Sequence, residues 1–354
     1  MKRYFIFAWA LLMIGIDVSA QEHSRQGSDG KTFLTPFVHD PVMAVEKGKT
    51  YIFATGMGID ELSSADGVTF RTEGSVFKTI PKWTHDSVPG FEKHVWAPDI
   101  IRYHGKWYMA YSCSTFGKNT SVIGLLSNDR LADKDGWKDE GCIISSRGGR
   151  DNWNAIDPNI VIDDQDHPWL VFGSFWDGIQ LVKLGNTLHV AKGEKPRTIA
   201  RRFAFNTREV PESEGDPKKL TPGSYNLNAG QNAIEAPFIF KHHGYYYLFV
   251  SWDYCCQGMK STYRVVVGRS KNVEGPYLDN RGVDMLDGGG VPFIEGDKKE
   301  FEATGHCAAY TIDHKDIFIC HGYSVALDGA SVLVKKEIKW DAQDWPTLSS
   351  CEKK

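Results

Sequence analysis

Residues 40–56 read DPVMAVEKGKTYIFATG: an apolar alternation, a Gly at the turn, then a second alternation rich in β-branched and aromatic residues. That pattern is a β-hairpin, and a Pro at the first strand position is tolerated because no ladder donor is needed there. The same layout returns as APDIIRYHGKWYMAYSC from Ala97, DPNIVIDDQDHPWLVFGSF from Asp157, APFIFKHHGYYYLFVSW from Ala236 and HCAAYTIDHKDIFICHGY from His306, the last without its Pro. Gly48, Gly105 and Gly244 fall at one offset from their starts, and similar pieces follow at Ser64-Ala65-Asp66, Ser127-Asn128-Asp129 and Ser270-Lys271-Asn272. The starts lie 57, 60, 79 and 70 residues apart, room for four strands per unit. Five such units around an axis predict an all-β, five-bladed β-propeller, which leaves only short, protected sheet edges. A β-sandwich gives no reason for units that begin alike.

Outward from the repeat, Lys2 and Arg3 precede an apolar run over Tyr4–Ile16, and Val18-Ser19-Ala20 has the small-x-small form of a signal-peptidase site. Residues 1–20 are therefore expected to be a signal peptide, and 21–354 one propeller domain, exported to the periplasm or medium. The apolar run is too short for a membrane anchor, which needs about 20 residues. The stretch Lys192–Gln231, rich in Pro, Gly and charge, reads as an insertion between the third and fourth units. With 41 Lys+Arg against 45 Asp+Glu and a net charge of −4, the 354-residue chain has no basic patch for nucleic acid or an anionic membrane. The seven cysteines, Cys113, Cys142, Cys255, Cys256, Cys307, Cys320 and Cys351, form no CxxC pair, so neither a zinc site nor a disulfide scaffold is indicated. Most read as small buried hydrophobes. The adjacent pair Cys255-Cys256 is unusual, and its redox state is open from sequence.

In a propeller, repeat position translates into convergence on the axis. Asp40 and Asp157 share one repeat position, His306 is its version in the fifth unit, and Glu235 sits one residue earlier, where the second unit has Trp96. Three acids in register across separate units suit glycoside hydrolysis, in which one carboxyl protonates the leaving oxygen and another activates water. A third carboxylate nearby would raise the acid's pKa by repulsion.

The motifs HDP (His39–Pro41), WAPD (Trp96–Asp99), STFG (Ser114–Gly117), NAIDPN (Asn154–Asn159), GSFWDGIQL (Gly173–Leu181), IEAPF (Ile234–Phe238), the CCxG run from Cys255 and STYRVVVGRS (Ser261–Ser270) resemble glycoside hydrolase family 43, within it the endo-1,5-α-L-arabinanases. The resemblance spans the mature chain. It implies inverting chemistry on arabinan or arabino-oligosaccharides, cut internally, with Asp40 as general base, Glu235 as general acid and Asp157 tuning and orienting Glu235. In an inverting enzyme, base and acid stand about 6.5–9.5 Å apart. The resemblance makes Trp96 and Phe116 aromatic walls for the sugar and puts Gly117, Asn154, Ser174, Phe175 and Trp176 along the same cleft. Arg264 is a further substrate-binding candidate, against the alternative that it pairs with a neighbouring acid. His306 matches a histidine that coordinates a hydrated cation, usually calcium, on the axis, although Thr304-Gly305-His306-Cys307 departs from the usual Pro-Gly-His-Asn. No organic cofactor, nucleic-acid partner or membrane partner is implied, and a monomer is expected. Two other readings stand beside this one: an exo-acting arabinanase, α-L-arabinofuranosidase or β-xylosidase with the same mechanism, and a non-catalytic sugar-binding propeller.

Overall fold

The structure is a computed structural model that describes residues 30–203 and 232–348. The expected signal peptide, Cys351 and most of the expected insertion lie outside the described residues. Five antiparallel sheets follow one another along the chain. Blade one is Val42–Glu46, Lys49–Ala54, Asp60–Ser64 and Phe70–Ser75, with Thr32–Phe33 added at its outer edge. Blade two is His94–Tyr103, Lys106–Cys113, Ser121–Asn128 and Lys138–Ser146, and Gly56–Met57 pairs with the start of its first strand. Blade three is Asn159–Ile162, Pro168–Phe172, Ile179–Lys183 and Arg197–Ala200; blade four is Ile234–His242, Tyr245–Trp252, Arg264–Ser270 and Val291–Glu295. Blade five is Phe301–Ile312, Lys315–Ser324, Ala330–Trp340 and Pro346–Leu348. The five-bladed propeller read from the repeat is thus the fold. One boundary moves: Arg197–Ala200 pairs with Ile179–Leu181 as the outer strand of blade three, so the interruption begins later than Lys192.

The hairpin turns follow from local chemistry. Lys47-Gly48, His104-Gly105, His243-Gly244 and Asp313-His314 have positive φ at both central residues, the type I′ geometry that matches strand twist. Blade three uses the longer turn 163–167, which Asp163 Oδ1 closes by accepting from the amides of Gln165 and His167.

The opposite end of each inner strand carries the decisive geometry. Asp40, Ala97, Asp157, Ala236 and His306 all have positive φ, between 45° and 56°. Such backbone is uncommon for a residue with a Cβ and costs on the order of 1 kcal/mol each. The strand ladder shifts register around these residues, between Trp96 and Asp99, Glu235 and Phe238, and Gly305 and Ala308, as β-bulges do. At all five starts, with a bulge at Ala97, Ala236 and His306 and ahead of the ladder at Asp40 and Asp157, the amide is received by a side chain of another strand. Ala97 donates to Thr55 Oγ1, Asp157 to Ser112 Oγ, His306 to Ser251 Oγ and Asp40 to His321 Nδ1. In each case the acceptor belongs to the preceding blade in the ring. Blade three has Gly173 at that position, and the amide of Ala236 donates instead to Asp157 Oδ2 at 3.1 Å.

A second tier joins inner strands just below. Asp99 is buried and accepts from the Ile160 amide and Asn159 Nδ2, while Asn159 Oδ1 accepts from the Ile239 amide. Deeper still, a cavity of about 440 Å³ runs along the axis, lined by residues such as Ala44, Ile101, Val161, Ile239 and Tyr310 from all five blades. The ring closes where residues 36–38 run beside blade five: Val38 donates to the Ser331 carbonyl, and Leu333 donates to that of Pro36. Among the described residues no helix is long and apolar enough to cross a membrane.

Candidate active site

Because the starts converge, Asp40, Asp157, Glu235 and His306 meet at one end of the axis, and each is no more than 9% exposed. Asp40 is the most elaborately held. Its Oδ1 lies 2.9 Å from His306 Nδ1 and 2.8 Å from His39 Nδ1, and its Oδ2 accepts from Thr55 Oγ1 at 2.5 Å. Burial alone would raise the Asp40 pKa, but the charges and hydrogen bonds of His306 and His39 outweigh it and hold the carboxyl well below its usual range. Asp40 is an ionised carboxylate.

Glu235 is different. It accepts from Ser174 Oγ at 2.7 Å and Tyr263 Oη at 2.8 Å, yet burial raises its pKa above the ordinary value. Burial also raises Asp157 well above the carboxylate range; His306 opposes this, and the charges of Glu235 and Asp40 add to it. Asp157 and Glu235 are therefore both shifted toward holding a proton, the opposite direction to Asp40. Burial, more than repulsion by a fixed charge, is the largest influence on both.

His306 stands among all three acids. Burial disfavours its charge, but Asp40, Asp157 and Glu235 together push it up to about 9. So strong a pull on a proton marks a point of concentrated negative potential. With Nδ1–H engaged by Asp40, Nε2 is the nitrogen left to a cation, the arrangement in which a carboxylate orients a ligating histidine. A single imidazole nitrogen could hold a hard cation only through a shell of water, so His306 would be the one protein contact of a hydrated ion there.

The other expected residues divide. Trp96 lies beside Ala97 and donates Nε1–H to His94 Nδ1 at 2.9 Å. Phe116 is 73% exposed on the same face, next to Gly117 at φ 71°, which disposes of a blade-packing role. Asn154 is buried and accepts from Ser121 Oγ. Ser174 reaches Glu235 directly, and Phe175, at positive φ, sits with its ring 5.9 Å from that of Tyr254. Trp176 is buried at 7% exposure. Arg264 is not brought to the acids: its guanidinium lies 3.1 Å from Asp253 and 3.9 Å from Glu295, the pairing alternative.

Sequence reading missed His39, Thr55, Tyr263 and His321. Thr55 and His321 occupy the repeat position of Ser112 and Ser251, so a second register of polar residues was there to be found. Tyr263 depends on Gly305, where an added Cβ would stand 2.0 Å from the Tyr263 ring; Gly305 leaves that ring the space to reach Glu235. No repeat signals such a contact.

The sequence profile described as Glycosyl hydrolases family 43 matches residues 30–346. The extracellular exo-α-(1→5)-L-arabinofuranosidase ArbA of Cellvibrio japonicus (strain Ueda107) is 43% identical over 319 residues, 89% of this chain and 87% of that protein. The extracellular endo-α-(1→5)-L-arabinanase 1 of Bacillus subtilis (strain 168) is 35% identical over 350 residues, 98% of each chain. Among solved structures, Cellvibrio cellulosa α-L-arabinanase complexed with arabinohexaose superposes with a TM-score of 0.81 at 43% identity, over 89% of this chain and 96% of that one.

Proposed function

The chain belongs to the glycosyl hydrolases of family 43, and from that premise we propose that it is an exported, inverting hydrolase of α-1,5-linked L-arabinan and arabino-oligosaccharides. The observation that carries this reading is the convergence of three buried acids at one end of the axis in unlike settings: Asp40 against His306 and His39, which lower its pKa, and Glu235 against Ser174 and Tyr263, with burial raising its pKa and that of Asp157. Asp40, as general base, takes a proton from a water that attacks the anomeric carbon. Glu235, as general acid, gives its proton to the departing glycosidic oxygen. Asp157 shares and orients the proton of the pair, and its second task is structural, since Oδ2 also fixes the Ala236 amide beside the acid. Trp96 and Phe116 offer ring faces to the furanose, and Gly117, Asn154, Ser174, Phe175 and Trp176 shape the surrounding cleft. His306 would hold a hydrated calcium ion, which when bound would supply positive charge to the acidic cluster. The two relatives named extracellular support export, with arabinan used outside the cytoplasm.

Internal cleavage is the reading of the motifs; the higher identity to an exo-acting relative favours removal of short products from a chain end. Product sizing on linear arabinan separates them: a ladder of oligomers means endo, and one short product means exo. Proton NMR of the first-formed anomer tests inversion, and a retained anomer, or no action on any arabinan, rejects the proposal.

A further inference from the structure

Cys255 and Cys256 form a disulfide between neighbouring residues, on the loop that joins the second and third strands of blade four. A bridge between adjacent residues encloses almost no chain, so the loop-closure account of disulfide stabilisation gives it little to do. The loop is held by other means: the Gln257 amide donates to Ser261 Oγ, the Thr262 amide to the Tyr254 carbonyl, and Gly329 packs against the backbone of Gly258 and Met259. What the bridge does enclose is the peptide group between its two cysteines. The amide of that group, on Cys256, donates to Tyr323 Oη at 2.7 Å, with Cys256 in the left-handed region at φ 66°.

From there the bonds run straight to the acidic cluster. Tyr323 is buried and packs with Tyr263, Ala303 and Cys255. Its Oη lies 3.0 Å from His39 Nε2, and Cys256 Sγ is 3.8 Å from the same nitrogen. His39 Nδ1 lies 2.8 Å from Asp40 Oδ1. Tyr323 Oη and Asp40 Oδ1 thus take the two ring nitrogens of His39 between them, Nε2 and Nδ1. The contacts form one line: Cys256 N–H to Tyr323 Oη, Tyr323 Oη to His39 Nε2, and His39 Nδ1 to Asp40 Oδ1.

We propose that the Cys255–Cys256 disulfide and Tyr323 are positioning groups for the general base. The ring of the bridge fixes the amide, the amide orients the Tyr323 hydroxyl, and the hydroxyl sets the angle at which His39 holds Asp40 toward the attacking water. This rests on Asp40 being the base.

The test begins with wild type cleaving an arabino-oligosaccharide and Asp40→Asn failing to; if either fails, the base assignment falls first. Tyr323→Phe keeps the ring and removes the hydroxyl. Its kcat should drop about tenfold with KM and melting temperature unchanged. Dithiothreitol should act alike on wild type: the dithiol is oxidised, the bridge becomes two thiols at Cys255 and Cys256, shown by alkylation and mass spectrometry, and reoxidation restores the rate. Cys256→Ser opens the same ring and should repeat the reduced behaviour. Because both perturbations act through one hydroxyl, Tyr323→Phe should be insensitive to the reductant. The proposal is overturned if Tyr323→Phe turns over normally, if reduction slows it by the same factor as wild type, or if the losses fall in KM alone.

Discussion

At the scale of single residues, opposite pKa shifts arise from unlike surroundings of like groups. Asp40 faces two imidazoles and a threonine hydroxyl; Asp157 and Glu235 are as deeply buried with fewer positive partners. Asp40→Asn should therefore lower kcat on arabinan by about 10³-fold while oligosaccharide binding persists, checked by steady-state kinetics and calorimetry. Glu235→Gln should lose as much on arabinan yet keep far more activity on an aryl arabinofuranoside, whose leaving group departs without a proton. Equal losses on both substrates would deny Glu235 the acid's role. The pH profile follows the same signs. Asp40 stays charged to well below the ordinary carboxylate range, so the alkaline limb is set by deprotonation of the Asp157–Glu235 pair, whose values are raised. Asp157→Asn uncouples that pair and should displace this limb; a superimposable profile rejects the coupling. The three acids were legible because they stand at strand starts. His39 and Tyr263 were not, because their roles come from contacts across blades rather than from spacing.

At the scale of the strand, the repeat held well enough to predict turns and starts, and failed where a side chain serves another blade. Gly305 illustrates this: Gly305→Ala, which crowds the Tyr263 ring, should cut turnover through Glu235 while leaving Asp40 in place, a loss that Tyr263→Phe should reproduce. Glu61, in the third strand of blade one, shows a stability effect of similar origin. Burial, opposed by Lys134 and reinforced by Glu73, pushes its carboxyl up to about 7. Between about pH 4 and that value the folded chain holds a proton that the unfolded chain has released, so the group destabilises the fold progressively as pH rises. Glu61→Gln removes that penalty. Urea midpoints should show the substitution about 2–3 kcal/mol more favourable at pH 8 than at pH 4; the opposite sign would mean that Glu61 is paired after all.

At the scale of the whole molecule, five sheets built in sequence order become a ring only where residues 36–38 lie along blade five. Among the described residues no strand is exchanged between first and last blades; the junction is made of backbone hydrogen bonds, the Asp40 amide on His321, the Met43 amide on Tyr310, and the contacts of Asp40 with His306 and His39 with Tyr323. The number of blades was legible from five similar beginnings, whereas the manner of closure was not, since a lone β-bridge such as Phe37 with Val332 leaves no periodic trace. The base stands directly after that junction. A chain that springs open there forfeits its water-activating group while every sheet is still intact. Hydrolysis should accordingly fade at milder urea than the tryptophan fluorescence of the blades, making catalysis the earliest gauge of whether the circle is shut.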